Sequence, residues 1–250
     1  MPGCYIDWPF AEPMSQEHTS RPASAQSRAF LEGEADQYFA RNRAKYSGAT
    51  MHLTLSTLDL ALQVIERAMH GRSEQERVLQ HALEVGCANG LLLSHVCSRL
   101  RCEGDGIDPS VEAIRDGTSR FPSLRLRVGT AEELPYDDAR FDVVLLGFFL
   151  YLLPDSHYLL ALAEASRVLR AGGFLIVVDF DHPSTNRRPY AHRSDVASYR
   201  HRALDVLTAT RMYSLAAKWP VGSFSLDPLD RVSLSLLYKE PDAYPLIGVP

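Results

Sequence analysis

The sequence predicts an α/β fold built on a parallel sheet, and three observations carry that prediction. Short apolar segments alternate with segments of helical periodicity between about residues 80 and 180. Two of the apolar segments, Phe141–Leu146 and Phe174–Val178, are continuous, as strands covered on both faces are. The first strand of the series ends in glycines and the second in an aspartate, the chemistry of a sheet edge that faces a ligand. At 250 residues the chain can bury a substantial core, so one embellished domain is expected rather than two.

The elements follow in order. Residues 1–27 are rich in Pro, Ser, Gln and Ala without periodicity and are expected to form a mobile arm or a loosely packed cover. Residues 28–79 are expected to form a helical cover. In it, Ala29–Tyr46 sets Phe30, Tyr38 and Phe39 among charged residues, and Leu53–Met69 carries Leu55, Leu58, Leu62 and Ile65 at helical spacing. Gly71–Arg77 reads as a polar connection.

The core spans residues 80–250. It opens with strand Ala82–Val85, helix Leu91–Arg101, strand Gly104–Ile107, helix Val111–Ser119 and strand Leu124–Val128. The turn Pro135–Asp138 leads into strand Phe141–Leu146. Helix His157–Leu169 is expected to stop at Gly172–Gly173, where glycine can supply a left-handed cap, and strand Phe174–Val178 follows. Residues 181–208, polar and rich in Arg and His, read as an insertion over the sheet edge. Met212–Trp219 and Arg231–Lys239 read as a closing strand pair that gives the sheet an antiparallel edge.

Composition removes several classes of function. A formal net charge of −5 disfavours a general nucleic-acid or anionic-membrane partner, which would need a basic face. Cys4, Cys87, Cys97 and Cys102 have neither paired nor metal-ligand spacing, so reduced thiols, no metal and a cytoplasmic location are expected. The N-terminus has no basic segment followed by an apolar run, so no signal peptide is expected. The longest apolar run, Val143–Leu153, is too short to cross a bilayer.

The chemistry lies at the strand ends. The first strand runs out through Glu84-Val85-Gly86-Cys87-Ala88-Asn89-Gly90, where Gly86 and Gly90 allow a tight turn and close approach to a ligand. The second ends Gly106-Ile107-Asp108-Pro109-Ser110, placing a carboxylate about 20 residues past the glycine turn, where ribose hydroxyls are bound in nucleoside sites. The dinucleotide fingerprint fails, because Ala88 and Leu91 stand where its second and third glycines would be. No phosphate-cradling P-loop and no Tyr-x-x-x-Lys pair is present.

These residues resemble the class I S-adenosylmethionine-dependent methyltransferases, closest to their type 11 branch. Glu84–Gly90 is similar to motif I and Gly106–Ser110 to the acidic motif II. Gly129-Thr130-Ala131-Glu132-Glu133-Leu134-Pro135-Tyr136-Asp137-Asp138 resembles the adenine loop. Phe141–Val144 and Leu169–Leu175 resemble the fourth and fifth motifs. The resemblance implies a doubly wound, mostly parallel, seven-stranded Rossmann-like sheet. It also implies S-adenosylmethionine as cofactor: Glu84, Gly86, Cys87 and Gly90 at the methionine moiety, Asp108 with Pro109 at the ribose, Ala131 and Glu132 flanking adenine, and Gly147 and Phe148 bordering the sulfonium end. Tyr38 and Asn42 are expected to close over the cofactor. Two departures are Ala88 for the usual motif I glycine and Thr130 for the usual aspartate of the adenine loop.

Other residues carry competing readings. Asp108 alone could be a helix cap, Glu132 a turn residue, and Cys87 a packing thiol rather than a nucleophile. Tyr151 is either core or pocket wall, and is carried with His182 as a catalytic candidate. His182 would take the acceptor's proton, or else lie in a surface loop beside Asp179 and Asp181. The basic stretch Arg187, Arg188, His192, Arg193, Arg200, His201 and Arg202 suggests an anionic acceptor held by His192, Arg193 and Arg200. The competing reading is a solvated face. The expected reaction is methyl transfer to an O, N or C atom of a small molecule. The alternatives are a catalytically silent cofactor-binding scaffold and a nucleoside-binding oxidoreductase. No nucleic acid and no membrane are expected as partners, and a homodimer is one arrangement left open.

Overall fold

In a computed structural model, which describes residues 24–44, 49–71, 79–221 and 230–241, the apolar runs assemble into one seven-stranded sheet. Strands β1 (His81–Val85), β2 (Glu103–Asp108), β3 (Arg125–Val128), β4 (Phe141–Gly147) and β5 (Leu169–Phe180) pair in parallel. A two-stranded ribbon, β6 (Asn186–Pro189) with β7 (Ala197–Arg200), stands apart. Strands β8 (Tyr213–Pro220) and β9 (Val232–Lys239) complete the sheet in the spatial order β3-β2-β1-β4-β5-β9-β8. β9 alone is reversed, antiparallel to both β5 and β8. The antiparallel strand expected from the sequence is therefore one place in from the edge, and β8 outside it runs with the rest.

Helices cover both faces: α1 (Ala25–Ala29), α2 (Ala35–Asn42), α3 (Ala49–His70), α4 (Leu91–Leu100), α5 (Val111–Arg120), α6 (Asp155–Val168) and α7 (Ala203–Ala209). Alternate residues of each strand enter opposite layers. Leu83, Val144, Leu146 and Leu175 meet Ala161, Leu162 and Ala165 of α6. Ala82, Val143, Leu145 and Ile176 meet Leu58, Leu62 and Ile65 of α3 and Leu93 of α4. Each of the fully buried valines, leucines and isoleucines among them contributes about 1.5–3 kcal/mol. Among the described residues, no helix is long and apolar enough to cross a membrane.

Three expectations about individual elements change. Helix α6 does not run on to a glycine cap. It ends at Val168, and Leu169 turns extended (φ −80°, ψ 127°) to begin β5, which carries Gly172 and Gly173 inside it. The cap comes from β9, where the Lys239 ammonium donates to Ser166 O and Leu169 O at 2.7 Å each. The helix expected from Ala29 begins at Ala25 and is broken by a π-helical turn, Phe30–Glu34, where Gly33 has φ +131°. Of the expected mobile arm, residues 1–23 lie outside the described residues, but 24–27 are docked. Ser24 caps α1 by accepting from Ser27 N at 2.8 Å, and the buried Gln26 side chain bonds to Leu152 O and to both backbone groups of Ala197. The expected insertion contains the β6–β7 ribbon and most of α7.

Candidate functional site

A cavity of about 320 Å³ opens where β1, β2 and β4 end, roofed by α1, the π turn, α2 and the start of α3. Its floor is the turn after β1. Gly86 (φ +71°) and Gly90 (φ +76°) are left-handed, and a Cβ on Gly86 would lie 2.5 Å from the Phe149 ring. Ala88 is left-handed too (φ 45°), as is Phe148 (φ 58°) across the cavity after β4. A non-glycine residue in that region costs about 1–2 kcal/mol. Both residues border the cavity, where such strain tends to gather.

Asp108 ties the two motifs together. Its Oδ2 accepts from Ala88 N and its Oδ1 from Ser110 N, each at 2.9 Å. Those bonds hold the glycine turn against the end of β2 and leave further lone pairs on both oxygens for a ligand. Burial, opposed by the two backbone N–H bonds, pushes the Asp108 carboxyl up to about 6. Glu84, 2% exposed, uses Oε2 to accept from Leu93 N at 2.9 Å, capping the first turn of α4 from within the sheet. Its Oε1 lies where a Cβ on Gly147 would come within 2.7 Å, so Gly147 keeps open a passage to that oxygen. Desolvation raises the Glu84 carboxyl well above its usual range. A nearby cation would favour ionisation of such a group.

Of the ten residues assigned to cofactor by resemblance, all but Gly90 line the cavity, and Gly90 forms the N-cap of α4 beside it. Tyr38, Asn42 and Thr130 line it as well. Glu132 is also engaged in the fold: the Ser27 hydroxyl of α1 donates to its Oε1, and His157 Nδ1 lies 3.3 Å from the same oxygen.

The other candidates are placed elsewhere. Tyr151, 8% exposed, packs between the rings of Phe148 and Phe180 at 5.1 Å each and reaches the cavity only through Tyr38, to whose hydroxyl it donates at 3.0 Å. His182 does not border the main cavity. It sits beside a smaller one of about 130 Å³, its Nδ1 surrounded by Ser184 and Asn186. The buried Asp179 borders that smaller cavity, its carboxyl pushed up to about 7 by burial.

His192, Arg193 and Arg200 do not border the main cavity either. The Arg193 guanidinium pairs with Asp195 at 2.7 Å, and His192 is exposed against Tyr190. Arg200, 4% exposed, lies 3.5 Å over the Phe180 ring and 3.8 Å from Asp230. The positive charges that looked free in the sequence meet carboxylates and rings of the same chain.

The cavity's electrostatics are one-sided. Glu84, Asp108 and Glu132 border it, and among the described residues no Lys, Arg or His does. The remaining wall is largely apolar, with Phe39 of α2, Met51 of α3, Phe148 after β4, Val178 of β5, Val221 after β8 and Val232 of β9. A phosphate-bearing dinucleotide would find no cation here. A ligand with hydroxyls and positive charge would find acceptors and carboxylates, so a sulfonium nucleoside fits the residues present. The sequence reading missed Ser27, Met51, Val221 and Val232, which come from segments whose local patterns carry no ligand signal.

Residues 82–173 match a family model described as a methyltransferase domain. The demethylmenaquinone methyltransferase of Staphylococcus aureus is 35% identical over 108 residues, 41% of this chain. The chain spans only 44% of the length of that relative. Among solved structures, the 1,6-didemethyltoxoflavin-N1-methyltransferase of Burkholderia thailandensis, with 1,6-didemethyltoxoflavin and S-adenosylhomocysteine bound, aligns at a TM-score of 0.62 and 17% identity, covering 88% of this chain and 92% of that one. The N-methyltransferase NodS of Bradyrhizobium japonicum, with S-adenosylhomocysteine, aligns at a TM-score of 0.51 and 17% identity, covering 71% and 86%. At these identities the structural likeness is one of fold.

Proposed function

We propose that this chain, whose residues 82–173 match a methyltransferase domain, works as a class I S-adenosylmethionine-dependent methyltransferase on a small, largely apolar acceptor that carries no negative charge. The observation that carries this reading is the cavity wall, which offers carboxylates and apolar side chains and, among the described residues, no basic group. An anionic acceptor would enter beside Glu84, Asp108 and Glu132 with no basic side chain among the described lining residues to pair it, an unfavourable placement. The anionic substrate suggested by the basic stretch is therefore set aside.

The bound sulfonium cofactor supplies an activated methyl carbon, so the protein's task is placement and exclusion of water. Asp108 would accept the ribose hydroxyls with the lone pairs its backbone donors leave free. Glu84, held by Leu93 N and opened to the cavity by Gly147, would face the cationic end. Ala131 and Thr130 would border the adenine. Phe148, Val178, Val221 and Val232 would form the acceptor's side, where a dry wall strengthens every electrostatic contact. Tyr38, accepting from Tyr151, keeps its own hydroxyl proton available toward the cavity it lines.

Calorimetric titration of S-adenosylmethionine and S-adenosylhomocysteine into wild type and Asp108→Ala, with NADH as control, tests the cofactor. Both sulfur nucleosides should bind and weaken about tenfold in the variant, a difference of about 1.4 kcal/mol. Binding of NADH alone, or binding indifferent to Asp108, would sink the reading. Release of S-adenosylhomocysteine from paired acceptors that differ only in a carboxylate or phosphate tests the acceptor class, and the uncharged member should turn over faster.

A further inference from the structure

The wall expected to receive adenine is held from outside the cavity. After β3, residues 129–140 form no regular secondary structure, so their backbone groups need partners from elsewhere. Arg167, in the last turn of α6, supplies them. Its Nη1 donates to Tyr136 O at 2.7 Å and to Asp138 Oδ1 at 2.8 Å, and its Nη2 donates to Leu134 O at 2.9 Å. Its own carbonyl accepts from Ala139 N at 2.8 Å. Glu164, one turn earlier, holds the guanidinium by two bonds of 2.7 and 2.8 Å and accepts from Leu134 N at 2.8 Å. The Tyr136 ring is braced as well, edge-on to Phe141 at 4.9 Å and under the Arg127 guanidinium at 4.9 Å.

We infer that Arg167, oriented by Glu164, is a positioning residue for cofactor recognition: it fixes the loop 134–139 and thereby the adjoining Thr130–Glu132 wall against which the cofactor's base is read. The inference rests on the cofactor site proposed above. Arg167 does not border the cavity, so it touches neither cofactor nor acceptor and acts only through the loop. The planar fork suits the task, because one guanidinium spans two carbonyls and two carboxylates that a single ammonium could not reach together. Thr130 stands where relatives by resemblance carry an aspartate, so base discrimination here must depend on the loop's backbone and shape, which is what Arg167 sets.

The experiment compares wild type, Arg167→Lys, Arg167→Met and the milder Glu164→Gln. Each protein is titrated with S-adenosylhomocysteine and with S-inosylhomocysteine, which differs only at the base. In Arg167→Met, affinity for S-adenosylhomocysteine should fall about tenfold, and preference for it over the inosyl analogue should collapse toward unity. Cofactor KM should rise in step, with kcat at saturation within about twofold of wild type. Arg167→Lys should recover part of the preference and Glu164→Gln should lose part of it. Amide exchange without ligand should quicken at 130–139 and not in β1 or β4. Unchanged loop exchange, or equal weakening of both nucleosides, overturns the inference and leaves the cofactor reading intact. A wild-type protein that binds neither nucleoside overturns both.

Discussion

On the proposed reading Asp108 does two jobs with one carboxylate, holding the glycine turn and receiving the ribose, and its titration should expose them. Burial raises its carboxyl to about 6 from the usual 3.8. The sign follows from linkage: the group's contribution to stability is complete below about 3.8 and is lost as pH rises through about 6, because the folded state holds the proton longer than the unfolded one. Ligand binding runs the other way, since two hydroxyls need an ionised acceptor. Affinity for S-adenosylhomocysteine should therefore fall as pH drops below about 6, and Asp108→Asn should flatten that part of the profile. Calorimetry between pH 5 and 8 checks it, and a profile shared by both proteins would rule the assignment out. Glu84 also titrates from a raised position, so the comparison between variants decides, not the wild-type curve alone.

Among the elements, α6 and β9 show how a helix end can be set by a strand distant in sequence. Glycines four and five residues beyond the helix looked like its cap, but that local signal lost to the strand pairing of Leu169 with Phe141 and to the Lys239 cap. A cation on the last carbonyls of a helix is favoured by their unpaired lone pairs and by the helix dipole. Lys239→Met should cost about 1–2 kcal/mol, read as a lower urea midpoint at unchanged m-value, with Lys239→Arg milder. An unmoved midpoint would show that the bonds add nothing net. The same principle separates the basic stretch of the insertion from the chemistry first read into it. Arg193 pairs with Asp195 two residues on, while Arg200 meets Phe180 and Asp230 on other segments, partners that spacing along the chain could not disclose.

The whole molecule closes its cavity with two segments far apart in the chain. The cover enters through Gln26, bonded to Leu152 O and Ala197, and through Ser27 on Glu132. Further along, Asp36 accepts from Ser110 Oγ at 2.7 Å and from Glu112 N at 2.9 Å, fastening α2 to the first turn of α5. The insertion answers from the other side, with Tyr190 donating to Glu34 at 3.1 Å and Arg193 to Ala29 O at 3.3 Å. Gln26→Ala would leave buried backbone groups of Ala197 and Leu152 without these partners, at about 1–3 kcal/mol. Limited proteolysis should then cut the cover faster while the sheet survives, and S-adenosylhomocysteine should leave several-fold sooner. Digestion and release rates equal to wild type would show that Gln26 does not hold the cover.

Short-range pattern was enough for the parallel sheet, its mostly correct strand limits, the glycine turn and Asp108. Apolar periodicity and backbone chirality act over a few residues and can be read where they stand. Resemblance added the cavity-lining residues from Glu84 to Phe148, because motif order carries the strand-end geometry with it. The fate of each polar group belonged to the tertiary structure. It set Tyr151 behind Tyr38, placed Arg200 against Asp230 and Phe180, drew Gln26 and Ser27 into the cover, and put Arg167 behind the loop that follows β3. A charge or hydroxyl takes its meaning from what lies within about 3 Å of it, and those neighbours come from segments that only folding brings together.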